Sequence, residues 1–194
     1  MLVMIISLLF GCGEKADKLS DANSSYKIGD KIVIKSVTNT TVTIVRENSG
    51  FKIENSDKIL IFDIFGTYCQ PCITEAPQLT DFQLKYKDDV LLIGLIYGEN
   101  VSDKYILENF SKPMDIRHFI SNSPENRRIV NNILKDINYP YELAIPFKVV
   151  LKNGIYQELT NVFGITHENN KFYIGKTDML TLQKDIIKSR SRNF

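Results

Sequence analysis

Runs and alternations of apolar residues divide the chain into a short series of elements. Lys31-Ile32-Val33-Ile34-Lys35 and Thr41-Val42-Thr43-Ile44-Val45 are rich in β-branched side chains and flank a Thr/Asn turn, which predicts two strands paired as a hairpin. Ile59 to Phe65 is apolar throughout except for Asp63, the pattern of a strand covered on both faces. From Ile73 to Tyr86 a helical pattern carries Ile73, Leu79, Phe82 and Leu84 among polar residues. Asp89 to Tyr97 is a second buried strand. Strand, helix and strand in close succession make a βαβ unit, so parallel pairing is expected.

Further on, Ser102 to Phe110 reads as a helix, Asp115 to Ile120 as a short strand and Ser123 to Ile137 as a helix. The opening Ser123-Pro124-Glu125 supports the last of these, because Ser caps well and Pro is tolerated in a first turn. Pro146 to Leu151 and Ile155 to Val162 flank Lys152-Asn153-Gly154, and Asn-Gly between apolar runs is a strong hairpin signal. Asp178 to Ser189 is an amphipathic helix with Leu180, Leu182, Ile186 and Ile187 on its apolar side. The whole is an α/β pattern: an N-terminal hairpin extension, then a mixed central sheet with helices on both faces.

The start of the chain differs in character. Met1 to Phe10 carries no charge, yet it is far shorter than the roughly 20 residues that cross a hydrocarbon core. It fits the apolar region of a secretory signal, although no Lys or Arg precedes it. Leu9-Phe10-Gly11-Cys12 resembles the lipobox of bacterial lipoproteins, which implies a signal over 1–12 and a lipid on Cys12. The competing reading is a buried N-terminal strand with an incidental cysteine. Residues 13–25 are polar with almost nothing to bury and read as a flexible tether, leaving 26–194 as one domain. This organisation places the folded part outside the cytoplasm, in a periplasmic setting beside a bacterial membrane.

Composition agrees with one folded domain: 194 residues, 43% hydrophobic and 24% charged. The 24 basic and 23 acidic side chains leave a net charge of +1, so nucleic acid has no electrostatic support as a partner. Lys188, Arg190 and Arg192 form the one basic cluster and suit a helix C-terminus.

Candidate chemistry lies in Cys69-Gln70-Pro71-Cys72, at the junction of a buried strand and a helix start. A sulfur there faces unpaired backbone N–H groups and the positive end of the helix dipole, which lowers its pKa below the free value of about 8.5. Cys69 is then a nucleophile near neutral pH, and Cys72, one helical turn away, is close enough to close or resolve a disulfide. Other readings stand beside this one. A zinc site needs more ligands than Cys12, His118 and His167 readily supply; a copper site would use both cysteines and a distant His such as His167. A purely structural disulfide would stabilise weakly, because so short a loop removes little chain entropy.

The segment Phe62-Asp63-Ile64-Phe65-Gly66-Thr67-Tyr68-Cys69-Gln70-Pro71-Cys72-Ile73-Thr74-Glu75-Ala76-Pro77 resembles the active-site stretch of thioredoxin-like proteins, most of all the membrane-anchored TlpA/ResA type. The resemblance runs from about Tyr26 to the C-terminus, since Ile145-Pro146 before a strand, an Asn-Gly turn and another strand match that family's cis-proline segment. It departs in having Tyr68 where Trp is common. The resemblance implies Cys69 as nucleophile, Cys72 as resolving cysteine, Pro71 as a residue that sets redox poise, and Asp63 as the buried acid that exchanges a proton with Cys72. For Asp63 a polar residue at a strand edge is the other possibility. It further implies a cis Pro146 against the disulfide, with Tyr68, Ile145 and Glu75 on the substrate side. Glu75 reads equally as a second acid near the pair or as a solvated helix residue. The activity implied is disulfide exchange with protein thiol/disulfide substrates, in the reducing direction, with apocytochrome c cysteines as one candidate target. A membrane thiol electron donor would supply reductant, no metal or organic cofactor would be needed, and a monomer is expected. An oxidase or isomerase, or a copper-handling or binding module on the same fold, are the alternatives.

Overall fold

The computed structural model describes residues 22–160 and 169–191. The expected signal, Cys12, most of the expected tether, and His167 lie outside those residues. Residues 22–25, the end of that stretch, hydrogen bond to the helix Glu125–Asp136: Asn131 Nδ2 donates to the Ala22 carbonyl and Asn132 Nδ2 to that of Ser24. Among the described residues no helix is long and apolar enough to cross a membrane.

Strands β1 (Lys31–Lys35) and β2 (Thr41–Arg46) pair antiparallel as expected, and a third strand, β3 (Phe51–Ile53), joins β2 to make a small sheet of its own. Three residues are too few for a period to be read, which is why the sequence pattern passes over β3. The second sheet is built on β4 (Ile59–Phe65), flanked in parallel by β5 (Val90–Ile96) and antiparallel by β7 (Phe147–Lys152). β6 (Phe119–Ser121) continues beyond β5; β8 (Ile155–Tyr156) and β9 (Tyr173–Ile174) both pair with β7. The small sheet is tied to the edge of the large one where Val37 N–H donates to the Ile120 carbonyl.

Every residue of β4 is buried, because helices or sheet cover both faces. Ile59 and Ile61 pack with Leu79 and Phe82 of helix α1 (Gln70–Lys85) and with Leu182 and Ile186 of α4 (Met179–Ser191). Leu60, Phe62 and Ile64 face the other way, onto α3 (Glu125–Asp136) and the small sheet. A short α2 (Asp103–Ile106), capped by Ser102, runs on into a π turn and places Ile106 and Phe110 beside Phe65.

Several expectations are corrected. Of the four apolar residues expected inside on α4, Leu182 and Ile186 are buried; Leu180 and Ile187 are exposed, and Leu84 of α1 likewise, because each helix meets the sheet along one narrow stripe. The hairpin after Asn153-Gly154 forms, with both turn residues at positive φ (50° and 80°), but its return strand is only Ile155–Tyr156. The place beside the first part of β7 is taken by β9, which pairs Phe147 and Lys148 with Ile174 and Tyr173. The short strand expected from Asp115 begins at Phe119, and His118 ahead of it is buried against α1.

Candidate active site

Cys69 is the N-cap of α1 and is disulfide-bonded to Cys72, with Cα atoms 5.2 Å apart. The helix starts here for local reasons. Cys69 has an extended backbone, Pro71 in the first turn lacks the N–H that the turn could not use, and the Cys72 N–H donates to Cys69 Sγ at 3.4 Å. Cys69 retains 8% exposure and Cys72 3%, so the outer residue of the pair is Cys69. The Ile145–Pro146 peptide is cis, and the Ile145 carbonyl oxygen lies 3.7 Å from Cys69 Sγ. Two segments 76 residues apart thus meet at the sulfur. Tyr68 is 63% exposed beside it. Its ring packs on Gly66, where a Cβ would come within 2.7 Å of the ring.

The loop leading to Cys69 is fastened by a residue the sequence pattern does not single out. Glu99, just after β5, accepts from Thr67 N at 2.6 Å and from Thr67 Oγ1 at 2.7 Å. The Tyr97 N–H donates to the Phe65 carbonyl, so the ends of β4 and β5 are held together where the loop departs.

One helical turn along α1 from Cys72, Glu75 enters a buried charge cluster. Asp63 is not at an edge: β4 is interior to its sheet and Asp63 is 4% exposed. Glu75 is turned inward rather than solvated or offered to a substrate, at 1% exposure, because α1 places it on the same face as Cys72 and Ala76. Between the two acids sits Lys148, fully buried, with Nζ 2.7 Å from Glu75 Oε2 and 3.4 Å from Asp63 Oδ1. The Thr177 N–H donates to Glu75 Oε1 at 2.8 Å. Burial raises both carboxyls above their ordinary range, and the Lys148 ammonium offsets only part of that rise. Lys148 is a site residue that sequence reasoning missed. Its signal was a lone cation in the apolar run Phe147-Lys148-Val149-Val150-Leu151, the counterpart of Asp63 in β4.

Among the described residues no three His, Cys, Asp or Glu side chains cluster as a metal site. His118 is engaged elsewhere, its Nδ1 2.9 Å from Thr80 Oγ1 on α1. The structure therefore brings together Cys69, Cys72, Pro71, Ile145 and Pro146, with Tyr68 exposed beside them, and sets Glu75, one turn along α1 from Cys72, in a buried cluster with Asp63 and Lys148.

No protein-family model matches the chain. No curated protein matches it in sequence either. Solved structures do resemble it. StoA from Bacillus subtilis aligns over 81% of this chain and 97% of its own at 18% identity, with a TM-score of 0.53. A thioredoxin-family thiol:disulfide interchange protein from Chlorobium tepidum aligns over 85% and 97% at 15% identity, with a TM-score of 0.52. The thioredoxin domain of a thiol-disulfide oxidoreductase from Bacteroides vulgatus aligns over 86% and 97% at 12% identity, with a TM-score of 0.50. A disulfide-bonded cysteine pair at a helix N-terminus, a cis X-Pro peptide against it and a mixed central sheet give this chain a thioredoxin-like fold, the fold of these solved structures.

Proposed function

We propose that the chain is a thiol–disulfide oxidoreductase acting outside the cytoplasm, that Cys69 and Cys72 carry the exchange, and that it runs in the reducing direction on protein substrates. The observation that carries this reading is the Cys69–Cys72 bond at the N-terminus of a 16-residue helix, with the Ile145 carbonyl against the outer sulfur.

In the reduced protein the Cys69 thiolate receives the Cys72 N–H and the positive end of the helix dipole, which favour its charged form. It attacks one sulfur of a target disulfide; that S–S bond breaks, the first target thiolate leaves, and a mixed disulfide joins Cys69 to the target. Cys72 then loses its proton to the acid pair below and attacks Cys69 Sγ. The second target thiolate leaves and takes up a proton, the target is reduced, and Cys69–Cys72 is oxidised. An extended target segment would lie beside Ile145, adding backbone hydrogen bonds to the covalent step, with Tyr68 as an apolar wall. Two electrons must then come from an outside dithiol, for which a membrane thiol carrier is the fitting donor. Apocytochrome c cysteines are a candidate target. The sequence pattern supports residues 1–12 as a lipoprotein signal, Cys12 as lipid attachment, a tether over 13–25 and the catalytic domain over 26–194.

The test is the reduction potential of the Cys69–Cys72 couple, measured by equilibration with glutathione. A value near that of thioredoxin, about −270 mV, is expected; one near that of DsbA, about −120 mV, makes the protein an oxidant and overturns the direction. Cys72→Ser should accumulate mixed disulfides with substrate proteins on non-reducing gels, and Cys69→Ser should accumulate none.

A further inference from the structure

We propose that Lys148 is a positioning residue that keeps Glu75 as the permanently charged member of the buried acid pair, leaving Asp63 as the one group that trades a proton with Cys72. This rests on the disulfide-exchange reading and gives Lys148, which the sequence does not single out, the part of separating the roles of the two carboxyls.

A single row across the large sheet carries the cluster. Asp63 pairs in register with Gly94 on one side and Lys148 on the other, and Lys148 pairs with Tyr173. All four face α1, which lowers Glu75 into the row. Gly94 adds no charge, and its missing Cβ leaves room for Phe65, whose ring would otherwise lie 2.8 Å away. Tyr173 turns its hydroxyl to Asp185 of α4, which also accepts from Thr160, so that pair is satisfied separately. The charged groups facing Asp63 are therefore Lys148 from β7 and Glu75 from α1, and Cys72 lies three residues before Glu75 on the same buried face of α1. Phe65, two residues past Asp63 on the same face of β4, packs in the apolar cluster that holds Cys72.

One cation between two carboxylates leaves an uncompensated negative charge in a site almost closed to water, and one bound proton removes it. The hydrogen bonds decide where that proton resides. Both oxygens of Glu75 have donors, Lys148 Nζ at 2.7 Å and Thr177 N at 2.8 Å, and donors favour the ionised form. Asp63 Oδ1, 3.4 Å from Lys148 Nζ, accepts no hydrogen bond. The proton belongs on Asp63. Above its pH midpoint Asp63 has released that proton to solvent, and in the resolving step the ionised carboxylate takes the proton of the Cys72 thiol and becomes the neutral acid again. The thiolate bonds to Cys69 Sγ as the bond from Cys69 to the target breaks, and the departing target thiolate carries the electron pair away.

The experiment is single-turnover reduction of the aromatic disulfide DTNB by the reduced protein. The first coloured thiolate released reports attack by Cys69 and the second reports resolution by Cys72. The second phase should show one pH midpoint in the native protein, lost in Asp63→Asn. Lys148→Met removes the counterion and should move the midpoint up by about one to three pH units. Glu75→Gln leaves Lys148 to Asp63 alone and should move it down. A residue needed only for folding would not give shifts of opposite sign. An unmoved midpoint in Lys148→Met, or a pH dependence that vanishes in Glu75→Gln and persists in Asp63→Asn, overturns the assignment. If Lys148→Met does not fold, the double variant Lys148→Met/Glu75→Gln removes both charges together and should retain a pH-dependent second phase; a flat one overturns the assignment. Absence of any second phase in the native protein overturns the exchange reading itself, a different result.

Discussion

Lowering the pH from 7 to 4 should remove roughly 3 kcal/mol of stability through His118 alone. The imidazole is buried, and burial pulls its pKa down from 6.5 to about 4. Its hydrogen bond explains why the neutral form suits the site. Thr80 Oγ1 accepts the Arg117 N–H at 3.2 Å and can donate its own proton to His118 Nδ1, 2.9 Å away, an arrangement open only to the neutral ring. Between pH 6.5 and pH 4 the unfolded chain binds a proton that the folded chain refuses, so stability is full above this window and falls as the pH drops through it. The gap, 6.5 minus about 4, at 1.36 kcal/mol per unit gives the figure above. The raised carboxyls of Asp63 and Glu75 act with the opposite sign, favouring the fold at low pH. A control variant that keeps them is therefore required. His118→Asn retains an acceptor near Nδ1 and does not titrate. Urea unfolding of both proteins across this range should show the native protein losing about 3 kcal/mol more than the variant. Parallel losses would refute the assignment of the slope to His118. Because Thr80 lies on α1, the same protonation loosens the seat of the active-site helix, and activity should fall with stability.

Glu99→Ala removes the acceptor for both Thr67 N and Thr67 Oγ1 and should slow Cys69 attack by about ten-fold at a stability cost of about 1–2 kcal/mol, read by DTNB kinetics and thermal melts. Thr67→Val, which keeps the backbone bond, should show about half of that stability loss. Arg46→Met leaves Asp136 with only the Tyr156 hydroxyl, in a pair whose side chains are 11% and 10% exposed; a loss of about 3 kcal/mol in urea unfolding is expected, with exchange kinetics unchanged.

Local chemistry determined what the sequence alone could decide. An apolar run with one acid must be an interior strand, a Cys-Gln-Pro-Cys start caps a helix, and Asn-Gly closes a hairpin, because each depends on neighbours within a few residues. Hence β4, α1, β5, α3 and the turn at Asn153-Gly154 were legible, and with them Cys69, Cys72 and Pro146 as a group. Where local signals were short or symmetric, reading along the chain failed. β3 and β9 are strands only because a partner edge is there to complete them, and nothing in α4 says that Leu182 faces the sheet while Leu180 does not. The buried triad shows the division best. Asp63, Glu75 and Lys148 are separate in sequence, and along the chain Asp63 and Lys148 are only lone charges in apolar runs, but cross-strand register sets Lys148 opposite Asp63 and helix phase brings Glu75 down onto Lys148. A charge excluded from water must find its counter-charge in space, and only the tertiary structure states which one it finds.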